Sequence, residues 1–349
     1  MKMRALCLLA GLLGLASLSA YGQNCEQKLR EAQLTYEKGR IDQVPTLLEG
    51  CLNSGFTKDQ QIAAYKLLVL NYLYYNEKKK AEEAMTFFLK LNPEYKVQEG
   101  IDPPEFINLF NSFRTWPVFL YSPRIGINMP YIQETRRYSV DNDFEYNGNY
   151  SSTIGYQGGI VMEIPYKKLS VEPGVFFTVT NYTFSDKLLD YADVNFEESQ
   201  TSVNLPVVIR YRFGENRIKP FIGAGGGVRY LLGASGSIIR NDSVDVELTN
   251  REVPRSDLDL SEQRNTFGFY AIGSAGVQIK SKRSTGLWNV DVQLQYGLSD
   301  IVNGENRTAD PSLMYSYGYI DNDFRMHSIS INIAYSIPVY KPKLLNKKE

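Results

Sequence analysis

The chain has 349 residues, with 38 Lys and Arg against 39 Asp and Glu, a balance that excludes the strongly basic face a nucleic-acid partner requires. One histidine and three cysteines leave little material for a His/Cys metal centre or a histidine-based nucleophile relay. The length accommodates two domains.

The N-terminus reads Met1-Lys2-Met3-Arg4, then an apolar stretch from Ala5 to Leu18, then Ala20-Tyr21-Gly22. A short basic head, an apolar centre and small residues at the cleavage positions predict a secretory signal peptide over 1–22. The apolar run is shorter than the roughly 20 residues a spanning helix needs. Gln23-Asn24 separates the small residue from Cys25, which argues against lipidation. Cleavage removes Lys2 and Arg4 and leaves Cys25 and Cys51. In an oxidising periplasm these two can form one disulfide; the alternative is two small buried residues that never meet.

No later segment resembles a continuous apolar spanning helix. If this chain enters a membrane, it must do so as a closed barrel, because lipid offers no water to open backbone groups.

From 23 to 113 the apolar spacing is helical. Leu29, Ala32 and Tyr36 form one run and Val44, Leu47 and Leu48 a second, with Gly39 between them. A second pair spans Ile62 to Tyr75 and Lys79 to Leu91, with the turn Asn76-Glu77-Lys78 between and Asn92-Pro93 as the stop. Tyr65, Leu68, Tyr72, Ala81, Met85 and Pro93 fall at or near tetratricopeptide spacing. The pair resembles such a repeat, although Val69 and Phe88 stand where small residues are usual, and a generic helical hairpin is the other reading. Pro103-Pro104-Glu105-Phe106 opens a further helix to Phe113. Stacked hairpins offer a groove for a partner's peptide or helix, and Lys66, Leu70 and Tyr74 are placed on its concave face. A passive spacer is the alternative.

From 118 to 341 the period is two. Ile329, Ile331, Ile333, Tyr335 and Ile337 alternate with Ser328, Ser330, Asn332, Ala334 and Ser336. Trp288, Val290, Val292, Leu294, Tyr296 and Leu298 alternate with Asn289, Asp291, Gln293, Gln295 and Gly297. Val203 to Phe213 and Val171 to Val179 repeat the pattern, and Tyr121–Met129, Ile154–Pro165, Phe221–Leu232 and Phe267–Ile279 bring the total to eight strands. An even count, long and short connections in alternation, and aromatics near strand ends (Tyr156, Tyr166, Tyr182, Tyr211, Tyr230, Trp288, Tyr296, Tyr340) predict an antiparallel transmembrane barrel with short periplasmic turns. The connections are expected to run about 20, 15 and 30 residues on the long side. The helices and a basic tail, 342–349, then lie in the periplasm.

Eight strands leave an interior only wide enough for side chains. The inward phase carries Glu163, Glu172 and Asp291 beside Arg124, Arg210, Arg212 and Arg229, an expected ion-pair network that plugs the lumen, with a narrow polar pore as the alternative. Glycines 223, 225, 226 and 227 are expected to make room for the inward arginines or for sharp coiling. A phosphate loop would need a following helix. His327 and Ser328 are adjacent in one strand and point to opposite faces, which argues against hydrolase chemistry. The acidic stretches Asp141 to Glu145 and Asp321 to Asp323 fall in outside loops, where calcium binding competes with ordinary solvated charge. No catalytic set, metal or cofactor is expected.

Asp102-Pro103-Pro104-Glu105-Phe106, Phe110 to Pro117 and Arg124-Ile125-Gly126-Ile127-Asn128 resemble the linker and first strand of Bacteroidota outer-membrane β-barrel proteins of the PorT-like group. The resemblance implies an outer-membrane location and points to type IX secretion or gliding, while the helical domain departs from barrel-only members. The expectation is therefore an α+β multidomain membrane protein: a short tetratricopeptide-like domain on an eight-stranded barrel. It would be non-enzymatic, embedded in outer-membrane lipid and bound to a periplasmic or outer-membrane protein partner, with a small pore as runner-up and a membrane enzyme third.

Overall fold

A computed structural model describes residues 24–139, 148–188, 191–214, 216–243, 251–281 and 285–345. The expected signal peptide, the stretch Asp141 to Glu145, most of the turn at Lys282 to Thr285 and the last four residues lie outside these. The chain divides into two compact units, one of residues up to Pro117 together with Tyr340 onward, the other Val118–Val339.

The first unit is helical: α1 (residues 24–37), α2 (Val44–Leu52), α3 (Lys58–Tyr74), α4 (Lys78–Leu91) and α5 (Pro104–Asn111). Gly39 ends the first run with φ +77°, a left-handed conformation that costs glycine least. Thr57 caps α3 by accepting from the Gln60 N–H while the Gln60 side chain accepts from the Thr57 N–H, two orphan donors satisfied reciprocally. Ala32, Val44, Leu48, Ala64, Val69, Ala81, Met85, Phe88 and Phe106 are fully enclosed in one core. Cys25 and Cys51 form a disulfide, Cα–Cα 5.7 Å, tying the start of α1 to the end of α2.

Residues 342–345 are not a free basic tail. The Arg114 N–H donates to the Lys343 carbonyl and the Leu345 N–H to the Ser112 carbonyl, and Leu344 packs on the helical core. An apolar Leu344 among the lysines carries the segment onto that surface.

The second unit is an antiparallel sheet closed on itself. Its strands are β1 (Phe119–Arg136), β2 (Asn149–Tyr166), β3 (Leu169–Leu188), β4 (Ala192–Arg212), β5 (Ile218–Asp242), β6 (Arg251–Asp259), β7 (Phe267–Lys280), β8 (Leu287–Gly297) and β9 (Asp323–Val339). Eight of them form the ring β1-β2-β3-β4-β5-β7-β8-β9, with β9 back on β1. β6 pairs only with the last third of β5, and a short helix, α6 (Pro311–Tyr317), lies between β8 and β9. Among the described residues no helix is long and apolar enough to cross a membrane.

Strand lengths correct the expected connections. β3, β4 and β5 run 20, 21 and 25 residues, against the roughly 9–11 that span a bilayer. The connection after β3 is therefore not a loop of about 15 residues: β3 runs to Leu188 and β4 begins at Ala192. The reason is a change in what the two faces carry while the inward positions stay the same. In β4 the outward residues Leu205, Val207 and Ile209 are exposed and apolar while Glu198, Gln200, Ser202 and Asn204 are buried inward. Toward residue 192 the rule inverts: Ala192, Val194 and Phe196 are buried and the outward positions are polar. β3 does the same with Tyr182, Phe184 and Leu188. Reading only for an oily outward face stops each strand where this inversion begins.

Candidate functional site

The candidate site is the barrel interior, and it has two charged clusters. In the first, nearer the short turns, the Arg210 Nε lies 2.8 Å from Glu172, and Arg124 sits 3.8 Å from Glu172 and 3.7 Å from Asp291, all buried. Arg210 stacks its guanidinium over Phe221 at 3.8 Å, and Arg212 pairs with Glu163. Neutral groups fill the gaps between: Asn332 donates to Asp291 at 3.2 Å and accepts from Gln157 at 2.6 Å, and Asn289 accepts from Gln278 and donates to Ser336. Each charge meets a partner or an amide, which is the condition for burying it.

The second cluster was not visible in the alternation. Arg264 donates Nε and Nη2 to Glu198 at 2.8 and 2.5 Å and Nη1 and Nη2 to Asp321 at 2.8 and 2.9 Å. Tyr182 donates to Glu198 and Tyr319 to Asp321. Glu198 continues the inward phase of β4 and was legible in principle. Arg264 lies in an irregular connection, where no period marks it. Beyond this cluster Phe184, Phe196, Ile238, Leu260, Val302, Leu313 and Phe324 form an apolar core that fills the loop end of the unit.

Three expectations about residues change, and the contacts of His327 and Ser328 follow them. Arg229 does not join Glu172; its Nη1 donates to Gln200 at 3.0 Å, because it lies further along β5, opposite Asn204. The glycines make room for backbone and for a ring, not for arginines: a Cβ on Gly225 would meet the main chain of Val207 and the Val208 Cα, and one on Gly227 the Tyr270 ring. Asp321 is held by Arg264, and Asp323 by Arg307; among the described residues no group of His, Cys, Asp and Glu is arranged for a metal ion. His327 Nδ1 accepts from the Gly297 N–H at 3.1 Å and its ring stacks on Tyr296, while Ser328 donates to Gln295.

In the helical unit Lys66 is a tie and not a free groove residue. It lies 2.6 Å from the buried Asp102 and donates to the Tyr95 hydroxyl at 2.8 Å, and Tyr95 donates in turn to Asp102. Leu70 packs against the core, and Tyr74, 70% exposed, is the one member of the set left open. Burial raises the Asp102 carboxyl, but the Gln98 N–H, Lys66 and Tyr95 outweigh it and hold the group below its usual range.

An inside-out barrel, polar within and apolar without, is the arrangement of a membrane barrel. Residues 117–303, more than half of the chain, match the family model described as outer membrane protein beta-barrel domain. The chain belongs to this family. Its outer-membrane location follows, and the exposed belt of Ile125, Ile127, Val175, Phe177, Ile209 and Ile333 is its lipid face, with exposed Tyr121, Tyr166 and Trp288 toward the short turns and Tyr131, Tyr156 and Tyr296 toward the loops.

Among solved structures, the outer-membrane barrel chain is similar to Ail, the attachment invasion locus protein of Yersinia pestis, at 13% identity and TM-score 0.27, covering 63% of this chain and 99% of that one. It is similar to the outer membrane enzyme PagL at 14% and 0.27, covering 62% and 99%. It is also similar to Neisserial surface protein A at 9% and 0.26, covering 61% and 95%. No curated protein matches the sequence.

Proposed function

We propose that the protein is a non-enzymatic outer-membrane anchor whose closed barrel fixes a periplasmic helical domain for binding to a protein partner. One observation carries the proposal: the interior is occupied along its length, by the Arg124–Glu172–Asp291–Arg210 cluster, the Arg264–Glu198–Asp321 cluster and the apolar core around Phe196 and Phe324. Such filling leaves little room for an aqueous path, which disfavours a pore. The interior carboxylates are bound to arginines and not aligned on a nucleophile, which disfavours hydrolase chemistry.

The helical unit has the construction of a recruiting module. It keeps its own core and disulfide, and it leaves Leu34, Tyr74, Tyr75 and Phe87 exposed, apolar side chains available to a partner. Its hairpins are consistent with a short tetratricopeptide-like array. The likeness of the linker and first strand to PorT-like proteins makes a type IX secretion or gliding assembly the place to look for the partner.

The test is mild-detergent affinity purification of the full chain from its native membrane, against a variant with Tyr74 and Phe87 changed to Ser. A stoichiometric protein lost with the variant is the expected result. Purification of the chain alone, or single-channel steps from the purified barrel in planar bilayers, would overturn the proposal.

A further inference from the structure

The short-turn end of the barrel carries charge of almost one sign. Its three turn sequences, 167–168, 213–219 and 280–286, contain seven Lys and Arg and one acid, Glu215. The loop end is mixed by contrast: Arg137, Arg240, Arg255, Arg307 and Arg325 are each paired with a carboxylate. At the short-turn end Glu163 is taken by Arg212, and among the described residues no carboxylate pairs with the exposed Lys167, Lys168 or Arg217.

Backbone bonds hold these turns side by side. The Arg212 N–H donates to the Lys168 carbonyl at 2.9 Å, the Lys280 N–H to the Arg217 carbonyl at 3.0 Å, and the Arg217 Nε to the Lys280 carbonyl at 3.0 Å. The cations therefore form an arc over the ends of β2, β3, β4, β5 and β7. Tyr166, Tyr211 and Phe213 stand exposed beside them, with the Lys167 Nζ 5.8 Å from the centre of the Tyr166 ring. Aromatic rings at the edge of a lipid belt sit at headgroup level, so cations next to them in sequence meet the headgroups themselves.

Turn geometry does not account for the lysines. Tyr166 pairs with Leu169, so Lys167-Lys168 is a two-residue hairpin loop, for which Asn-Gly is the favoured sequence. Lys167 has φ +55°, a left-handed conformation that a lysine adopts at a cost. A loop shaped for the turn alone would carry neither lysine.

We propose that this arc selects anionic phospholipids from the leaflet that meets the short turns, with Lys167, Lys168 and Arg217 holding their headgroups. The ligand class follows from charge and position. The arc borders the lipid belt, where exposed Ile164, Val171 and Ile209 face acyl chains, and an anionic headgroup supplies the counter-charge the three cations lack. A zwitterionic headgroup brings its own ammonium and gains less.

The test is native mass spectrometry of the full chain in non-ionic detergent, with equimolar phosphatidylglycerol and phosphatidylethanolamine of identical acyl chains. Phosphatidylglycerol should be retained preferentially, and its affinity should fall about fivefold for each cation removed, the effect of one Lys or Arg at an anionic membrane surface. Lys167→Asn with Lys168→Gly removes two cations while supplying the favoured turn, so it keeps the fold, which the gel mobility of unheated samples checks. Lys187→Gln with Arg251→Gln removes two exposed cations at the loop end and should leave retention unchanged. Equal retention of the two lipids, undiminished phosphatidylglycerol in the Asn-Gly variant, or an equal loss in the loop-end variant would each overturn the proposal.

Discussion

Arg264 and Glu198 are joined by two hydrogen bonds, Nε to Oε1 at 2.8 Å and Nη2 to Oε2 at 2.5 Å, with neither side chain exposed at all. The same guanidinium holds Asp321, so one residue from an irregular connection pairs with two carboxylates, one in β4 and one just before β9. Arg264→Met leaves both acids buried and unpaired, and the expected loss is about 3–5 kcal/mol. Adding Glu198→Gln and Asp321→Asn to that variant should recover most of it, since removing a whole buried ion group is far less damaging than breaking one. Urea unfolding in detergent measures both; equal stability of the single and triple variants would refute this account of the loop end.

The Lys66–Tyr95–Asp102 tie predicts an acid limb. The folded Asp102 carboxyl lies below the ordinary value of 3.8, so its contribution is fully present above that value and is lost as pH falls through the folded one. Lys66 is displaced upward from 10.5 despite the opposing effect of burial, through its bonds to Asp102 and Tyr95, so its contribution persists through neutral pH and fades only in strong alkali. Asp102→Asn should cost about 1–3 kcal/mol at neutral pH and flatten the loss of helical circular dichroism below about pH 4. An unchanged acid limb would show that another group governs it.

Cys25 and Cys51 close a loop with a sequence separation of 26, and a bridge of that span is worth about 2–4 kcal/mol. Reduction should lower the melting of the helical signal by that equivalent while the sheet signal stays put, because the disulfide and its core belong to the helical unit alone. Thermal scans with and without reductant decide it, the double Cys→Ser variant serving as control.

Gly225 faces the main chain of β4 closely enough that a Cβ would lie 2.8 Å from the Val208 Cα. Gly225→Ala should therefore reduce the fraction that folds, at about 1–3 kcal/mol for an overpacked contact, whereas Gly273→Ala, where nothing lies within 4 Å, should fold normally. Folded fractions from gel mobility of unheated samples compare the two directly. Equal yields would mean that β4 and β5 can separate to admit a methyl group.

Much of this protein is local, and the sequence by itself determined it. The helical spacing from Leu29 to Leu91, the left-handed break at Gly39 and the two-residue period of β8 and β9 each depend on neighbours a few positions away, so eight strands and a helical unit were legible from residue order. The inward phase also marked Arg124, Glu172, Arg210 and Asp291, which the ring brings together.

What only the tertiary structure decided is which distant groups meet. Arg229 shares the inward phase with Arg210 but sits far enough along β5 to face Gln200 instead of Glu172, a matter of strand stagger that no single strand encodes. Arg264 and Asp321 come from irregular segments and meet inside a core that forms only when the ring is closed. The swap of apolar and polar faces near Phe196 likewise has a cause beyond the strand itself: outside the lipid belt water replaces hydrocarbon, so the outward positions turn polar and the inward ones apolar.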